Sequence, residues 1–236
     1  VALPHANNNE KCIEDITNFY KKIAKEKKPV VSIGGDHSIT GGILQGLGSE
    51  NLKMTKGKKI SFLHIDAHTD TFSQLDHFMG AKKSAAHWGS YLVEQGIIDP
   101  KTSMQIGMRG NPRTLDWLQP SYDIGYNVVT MDEFKKRGID EVIQETLDKI
   151  GDNPIYITFD LDSLDASVAP AVSNIEPSFT GFTIDEAKAL IQSVKNKNVI
   201  GGDVVCLMPT KDQKNNITSM VAASIMFEII SVIAYK

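Results

Sequence analysis

The segment KISFLHIDAHTD, residues 59–70, joins a short apolar run to a group of acidic and imidazole side chains. Residues 59–65 have the apolar character of a strand buried in a parallel sheet. The residues Asp66, His68 and Asp70 then alternate along the chain, so an extended backbone turns all three to the same side. The segment therefore predicts a buried strand that ends at a group of side chains able to bind metal or act in catalysis.

The rest of the chain alternates between strand and helix patterns, and no linker divides it. We expect further strands at residues 30–33, 103–108, 126–130, 154–160 and 198–206. Helical patterns fall at residues 10–28, 38–47, 89–96, 113–119, 131–149, 183–195 and 217–234. This alternation predicts an α/β fold, with a mainly parallel sheet covered by helices on both faces. We expect a single catalytic domain over residues 1–236.

The composition excludes several classes of protein. The net charge of −4 gives no basic surface for nucleic acid or an anionic membrane, and the longest apolar runs fall short of the roughly 18 residues of a membrane span. The two cysteines, Cys12 and Cys206, are too few for a disulfide framework or a Cys-rich zinc site. With no signal-peptide pattern, we expect a cytoplasmic protein without a nucleic-acid or membrane partner.

Two other predicted strands also end in groups of polar side chains. Residues 34–38, GGDHS, follow the strand 30–33, and residues 160–165, DLDSLD, end the strand 154–160. Ligand sites in such folds lie at the carboxyl ends of the strands. His37, Asp160 and Asp162 should therefore meet the side chains of residues 66–70 at one edge of the sheet.

Crowded carboxylates at one edge repel one another unless cations compensate them. Imidazole and carboxylate ligands without thiolates suit Mn, Ni, Fe or Zn, and the excess of carboxylates favours Mn. About six ligands exceed what one open catalytic ion uses, so we expect a pair of ions that activates a hydroxide. Each motif alone has another interpretation, since Asp-X-Asp is usually a turn feature. Their occurrence at three strand ends favours the metal site.

Residues 34–38, 64–70 and 159–165 resemble the signature segments of the ureohydrolases, the family of arginase, agmatinase, guanidinobutyrase and formiminoglutamase. Residues 105–110, QIGMRG, are similar to a segment of agmatinase-like members, which this chain resembles more closely than the arginases. The resemblance implies a three-layer α/β/α sandwich around a mainly parallel eight-stranded sheet. Because we count only about six strands, we expect the first strand or strands of that sheet to be missing.

The resemblance also implies two Mn²⁺ ions, although Ni²⁺ or another divalent ion would use the same ligands. One ion would be bound by His37, Asp66, Asp70 and Asp160, and the other by Asp66, His68, Asp160 and Asp162. A bridging hydroxide would attack the carbon of a small guanidino or amidino substrate, and Asp70 would take its proton. The family commonly forms trimers or hexamers, which makes a homo-oligomer the expectation.

Two residues before the predicted helix 89–96 are further site candidates. His87 is the candidate for the proton-shuttle histidine of the family; the alternative is that it caps or packs that helix. Trp88 either forms a wall of the substrate pocket or belongs to the core.

Two departures from the family pattern bear on the substrate. Cys206, in the run DVVCLMP, stands where the family usually has a Glu that binds the guanidinium, and a thiol offers no such charged partner. Cys206 is either inert packing, a soft wall of the pocket or a thiolate beside the metal. The loop 171–181 keeps Glu176 but loses most of the glycines usual there, and we expect Glu176 to contact the substrate.

Together with the resemblance, these residues imply a binuclear-metal, agmatinase-like hydrolase that releases urea and an amine. A related amidine or formimino hydrolase with a different substrate is the first alternative. A non-catalytic subunit with the same fold is the second. A one-zinc deacetylase-like site is disfavoured by residues 34–38 and by the sixth ligand.

Overall fold

A computed structural model describes residues 3–51, 55, 57–73, 80–110, 114–177 and 180–235 of the chain. Six strands in these ranges form one sheet in the order β1-β6-β5-β2-β3-β4, and every neighbouring pair is parallel. The strands are β1 Val30–Ile33, β2 Ser61–Ile65, β3 Met104–Met108, β4 Asn127–Thr130, β5 Ile155–Asp160 and β6 Val199–Val205. The signature segments therefore follow β1, β2 and β5 at the same edge of the sheet.

Helices cover both faces of the sheet, which confirms the three-layer α/β/α architecture. They are α1 Asn9–Ala24, α2 Ser38–Asn51, α3 Trp88–Glu94, α4 Gln119–Ile124, α5 Met131–Arg137, α6 Ile139–Ile150, α7 Ile184–Ser193 and α8 Ile217–Ala234. One apolar core joins the sheet to α5, α6, α7 and α8, and a second joins it to α1, α2 and α3.

The alternation of side chains along the central strands decides on which face the polar cluster lies. Leu63 and Ile65 of β2 belong to the core with α5–α8, whereas Phe62 of β2 and Tyr156 of β5 belong to the core with α1–α3. Because side chains alternate with a period of two, His64 shares the face of Phe62. By the same alternation, Thr158 and Asp160 share the face of Tyr156. The polar cluster is thus built on the side of α1, α2 and α3.

The predicted strands all occur, each with bounds within two residues of those expected. The described residues contain six strands rather than the eight that the resemblance implied. The single helix expected over residues 131–149 is wrong, because Gly138 has a positive φ of 85° and separates α5 from α6. The helix expected over residues 113–119 is also wrong: residue 113 lies outside the described ranges, and α4 begins only at Gln119.

The expectation that no segment has the length of a membrane span needs a correction. Helix α8 is long and apolar enough to cross a membrane by length and composition, although only a third of that 18-residue window is buried in the protein. Small polar residues and Glu228 interrupt the apolar residues of this helix, so no continuous apolar run within it is as long as a membrane span. The helix packs against β6, β1 and α7, as a core helix does.

A Gly pair in β6 allows this strand to pack closely in the middle of the fold. A Cβ on Gly202 would lie 2.6 Å from the backbone oxygen of Ile157 and 2.9 Å from Cγ2 of Ile229 in α8. We expect Gly202→Ala to lower the free energy of unfolding by about 1–3 kcal/mol, measured by urea denaturation, because a backbone atom cannot move aside. Gly35→Ala is the control, since its Cβ would meet nothing nearer than 3.8 Å. Equal stability of the two variants would contradict this packing.

Candidate metal centre

His37, between β1 and α2, lies at the centre of a group of carboxylates. Its side chain is 1% exposed, and Nδ1 faces three carboxylate oxygens at 3.0, 3.0 and 3.2 Å, namely Oδ2 of Asp66, Asp70 and Asp160. These residues come from the ends of three different strands, β1, β2 and β5. The parallel sheet therefore brings the three signature segments together, as their positions in the sequence predicted.

A second imidazole, His68, lies on the other side of the same carboxylates. Its Nδ1 is 3.5 Å from Oδ1 of Asp66 and 3.2 Å from Oδ2 of Asp162. Its Nε2 is 3.3 Å from Oε1 of Glu176. The side chain of His68 is 30% exposed, whereas that of His37 is buried, so the group is approached from the side of His68.

Two short turns aim the central carboxylates. Oδ1 of Asp66 accepts a hydrogen bond from the backbone N–H of His68 at 2.8 Å. Oδ1 of Asp160 accepts one from the backbone N–H of Asp162, also at 2.8 Å. Each side chain thus bonds the amide two residues ahead, in the manner of an Asx turn. This leaves Oδ2 of both residues directed at His37.

The hydrogen bonds of His37 determine which ring nitrogen carries its proton. Thr158 Oγ1 donates to Oδ1 of Asp203 at 2.6 Å, so it accepts from Nε2–H of His37 at 2.9 Å. In the neutral ring, Nδ1 is then left as a lone pair among carboxylate oxygens. Among the described residues, His37 Nδ1 and Asp162 Oδ2 are both buried without a hydrogen-bond partner. Acceptor atoms that face one another in this way fit the binding of cations between them.

In the metal-free protein, protons supply part of the missing positive charge. Burial lowers the pKa of His37, but the carboxylates of Asp160, Asp66 and Asp70 outweigh burial and raise it well above its usual value. His68 behaves in the same way, since burial lowers its pKa and the charge of Asp162 raises it further than burial lowers it. The centre therefore retains protons on its imidazoles when no metal replaces them.

The carboxylates respond differently to the same crowding. Burial and the charge of Asp160 raise the pKa of Asp162 well above its usual value. Burial also raises the pKa of Asp70, and the charge of Asp66 adds to this. Asp66 is the exception: burial raises its pKa, but its contacts with histidines lower it well below its usual value. Of these three carboxylates, Asp66 is therefore the one whose ionised form the histidines stabilise.

His64 supports Asp66 from behind, a role that the sequence analysis missed. The amide Nε2 of Gln105 donates to the carbonyl oxygen of Thr69 at 2.7 Å and to Nδ1 of His64 at 3.1 Å. Nε2 of His64 therefore carries the proton and donates to Oδ2 of Asp66 at 2.8 Å. This tautomer makes His64 a hydrogen-bond donor to a candidate metal ligand. The sequence could have indicated this role, because residue 64 alternates with residues 66, 68 and 70, so an extended chain turns all four side chains to the same side.

Arg109 fixes the loop that follows β5, and the sequence analysis gave this residue no role. Its guanidinium is buried and donates to the backbone oxygens of Asp162, Ser163 and Leu164 at 2.7, 2.9 and 3.0 Å. A guanidinium with several donors in a rigid plane suits such a set of carbonyls. The loop that carries Asp162 is held in place by these bonds.

Trp88 lies behind the ligands. It is fully buried, its Nε1–H donates to Oδ2 of Asp70 at 2.9 Å, and its ring is 4.7 Å from that of His37 between centroids. These contacts favour the core alternative for Trp88 over a wall of the substrate pocket.

His87 is also buried, with Nδ1 2.8 Å from Oγ of Ser84, and its side chain makes no hydrogen bond that caps α3. Its role as a proton shuttle stays a prediction.

Cys206 and the loop before α7 border the carboxylates on one side. Cys206 is 6% exposed, and its Sγ and the oxygens of Asp160 and Asp162 lie within 4.8 Å of one another. Val172 pairs with Leu207, next to Cys206. The loop beyond Val172 carries the Glu that reaches His68. Residues 178 and 179 of the predicted loop 171–181 lie outside the described ranges.

This chain is similar to a family model, to characterised proteins and to a solved structure. The family model described as "Arginase family" matches residues 1–231. A guanidino acid hydrolase of Homo sapiens mitochondria is 33% identical over 91% of this chain, and an agmatinase of Escherichia coli is 33% identical over 94% of it. A solved structure of proclavaminate amidino hydrolase from Streptomyces clavuligerus superimposes with a TM-score of 0.83, at 28% identity over 95% of this chain and 70% of that one.

The matched relatives are longer than this chain. The chain spans 58% of the length of the human protein and 66% of the length of the Escherichia coli protein. The three names describe enzymes that act on guanidino or amidino compounds.

The hydrogen bond that orients His37 can be removed on its own. Thr158→Val keeps the shape of the side chain but removes the hydroxyl that accepts from Nε2 of His37. We expect the dissociation constant for Mn²⁺ to rise about 10–100-fold, as is typical when a partner of a metal ligand is lost. Tyr156→Phe is the matched control, since it removes a different hydroxyl from Asp203 and none from His37. Equal affinities of both variants in calorimetric titrations would contradict this role for Thr158.

The protonated imidazoles predict a distinctive pH dependence of the metal-free protein. His37 and His68 have raised pKa values in the folded state, so their contribution to stability is complete below their unfolded pKa of about 6.5 and is lost as the pH rises through the raised values. We expect the free energy of unfolding in a chelator to fall from about pH 6.5 upward. Saturating Mn²⁺ should reduce the fall, because the metal replaces the protons.

Urea denaturation at a series of pH values measures this effect. His5→Ala is the control, because His5 pairs with Asp15 on the surface and is 50% exposed. The control variant should show the same fall as the unmodified protein. A metal-free stability that stays constant or rises over this range would contradict the charge balance described above.

Proposed function

Because this chain belongs to the arginase family, we propose that it is a hydrolase that cleaves a C–N bond of a small guanidino compound at a binuclear metal centre. One observation supports this most strongly. Two imidazoles and four carboxylates converge with acceptor atoms facing one another, an arrangement that only cations or protons can balance. All the ligands implied by the family resemblance are among them.

The proposal divides the ligands between two ions. The first would be held by His37, Asp66, Asp70 and Asp160, and the second by Asp66, His68, Asp160 and Asp162. Divalent ions bound here would supply an activated water nucleophile near neutral pH and would polarise the substrate. The hard carboxylate ligands favour Mn²⁺, and Ni²⁺ is the alternative.

Asp70 is the residue proposed to take the proton of the nucleophile. Its Oδ2 receives the N–H of Trp88 and lies 3.0 Å from Nδ1 of His37, so its position is fixed. Burial raises its pKa, which makes the carboxylate a better proton acceptor than a solvent-exposed one. His87 is proposed to pass the proton on to the leaving amine.

The substrate would approach over the exposed side of the centre, past His68 and Glu176. Glu176 is the acidic residue proposed to meet the cationic group there, since a carboxylate is a charge-assisted partner of a guanidinium. The names of the relatives, agmatinase and guanidino acid hydrolase, support a guanidino substrate. We propose urea and an amine as the products.

A formimino or other amidine substrate is the second candidate. The observation that favours it is Cys206, which lies beside Asp160 and Asp162 and offers no carboxylate where the family usually has a Glu for the guanidinium. Formamide or ammonia in place of urea would be the product. We further propose a single catalytic domain, a homo-oligomer (trimer or hexamer) and a cytoplasmic location.

A panel of substrates tests the proposal. We expect turnover of at least one of agmatine, guanidinobutyrate, guanidinopropionate, arginine, formiminoglutamate and guanidine by the Mn²⁺-loaded protein, with the released products identified. Urea supports the first candidate and formamide or ammonia the second. Retention of metal without turnover of any compound would contradict the proposal and favour a non-catalytic subunit.

One substitution tests the assignment of the ligands. Asp162→Ala should remove one of the two ions in elemental analysis and lower kcat by about a hundredfold or more, because it deletes a ligand proposed for one ion only. Asp152→Ala is the control, since its side chain is 96% exposed. Unchanged turnover and metal content in Asp162→Ala would refute this assignment.

A further inference from the structure

We propose that Cys206 is itself a metal ligand, and that its thiolate gives the ion bound beside Asp160 and Asp162 a preference for a softer divalent metal than Mn²⁺. Zn²⁺ and Co²⁺ are such metals. The inference rests on the proposed metal centre and concerns which ions it selects. It assigns to Cys206 the third of the roles that its sequence position left open.

The register of the sheet places Cys206 next to the ligands. Val205, the last residue of β6, pairs with Asp160, the last residue of β5. Cys206 is therefore the first residue beyond the sheet at the edge where the carboxylates meet. Its backbone N–H donates to the carbonyl oxygen of Gly35 at 2.5 Å, which ties it to the segment that carries His37.

The donor atoms of this group are close enough to share one ion. Sγ of Cys206 and a carboxylate oxygen from each of Asp160 and Asp162 all lie within 4.8 Å of one another, and all three residues are buried. Zn–S is about 2.3 Å and Zn–O about 2.0–2.2 Å, so donors on one ion are separated by roughly 3–4 Å. The upper limit on the separations in this group is close to that range.

A second observation points to a ligand at the same place. Oδ2 of Asp162 is buried in a residue that is 3% exposed, and no hydrogen-bond donor reaches it. It faces Nδ1 of His68 at 3.2 Å, with Nε2–H of that ring turned to Glu176. Once a metal displaces the proton on Nδ1 of His68, this oxygen faces an imidazole lone pair beside a thiol, which is the arrangement expected of ligands around a cation.

The chemistry of the Cys206 thiol determines which metal this ion site would prefer. Binding of the ion releases the S–H proton to solvent, and the sulfur lone pair forms the bond to the metal. Thiolate sulfur favours Zn²⁺ over Mn²⁺, whereas a set of carboxylates and imidazoles without it does not discriminate in this way. The side chain of Cys206 would then be turned to the metal rather than to the substrate.

Cobalt spectroscopy tests the proposal directly. A thiolate bound to Co²⁺ gives a sulfur-to-metal charge-transfer band in the near ultraviolet, whereas imidazole and carboxylate ligands give only the weaker ligand-field bands in the visible. We expect both kinds of band in the full chain loaded with Co²⁺. Cys206→Ser should lose the charge-transfer band and keep the visible bands. Cys12→Ser, which removes the other cysteine of the chain, should keep both.

Metal competition gives a second readout. Cys206→Ser should weaken the binding of Zn²⁺ by about tenfold or more, the loss typical even for residues that only support a metal ligand. The binding of Mn²⁺ should change much less. Circular dichroism verifies that the variant is folded, and Cys206→Ala serves as the replacement if it is not.

The outcomes separate this inference from the proposed function. Visible Co²⁺ bands without a charge-transfer band in the unmodified protein would overturn the thiolate ligand and leave the metal centre in place. A charge-transfer band that survives Cys206→Ser would overturn it as well. Failure of the protein to retain Co²⁺ in any form would overturn both.

Discussion

The mutual repulsion of buried carboxylates at one edge of the sheet is the constraint on which the rest of this structure depends. Asp66, Asp160 and Asp162 are each at most 3% exposed, and they surround the imidazoles closely. Groups of like charge in a dry interior are tolerated only if protons or metal ions balance them. The imidazoles carry protons in the metal-free protein, and divalent ions are proposed to replace these protons in the active one.

The surrounding residues hold this unfavourable group in place. Asp203 accepts from Thr158, which in turn orients His37. Arg109 fixes the backbone of the loop after β5, and Trp88 closes the space behind the ligands. None of these residues is proposed to bind the metal. Their common effect is to keep the ligand atoms close together before a metal arrives, which reduces the cost of ordering them on binding.

The sequence predicted the strands and the convergence of the candidate ligands because both depend on local patterns. A run such as residues 59–65 identifies a buried strand, and the two-residue period of an extended chain places Asp66 and His68 on one side. For the Asp-X-Asp spacing, a turn and a pair of ligands were the two alternatives. In the structure, Asp160-X-Asp162 and Asp66-X-His68 both form turns, and these turns aim the carboxylates at His37.

What the sequence did not predict depends on contacts between distant parts of the chain. Thr158 and His37 are 121 residues apart, and Arg109 reaches carbonyls more than 50 residues away. No local pattern reports such contacts. The break at Gly138 was missed for a different reason: the apolar period of a helix continues on both sides of a glycine that tolerates a positive φ.

Anomalous diffraction from crystals of the Mn²⁺-loaded protein would test the central claim most directly. The account predicts two peaks, one beside Nδ1 of His37 and Asp70 and the other beside Nδ1 of His68 and Asp162, with Asp66 in contact with both. A single peak, or peaks that lie away from these side chains, would contradict it.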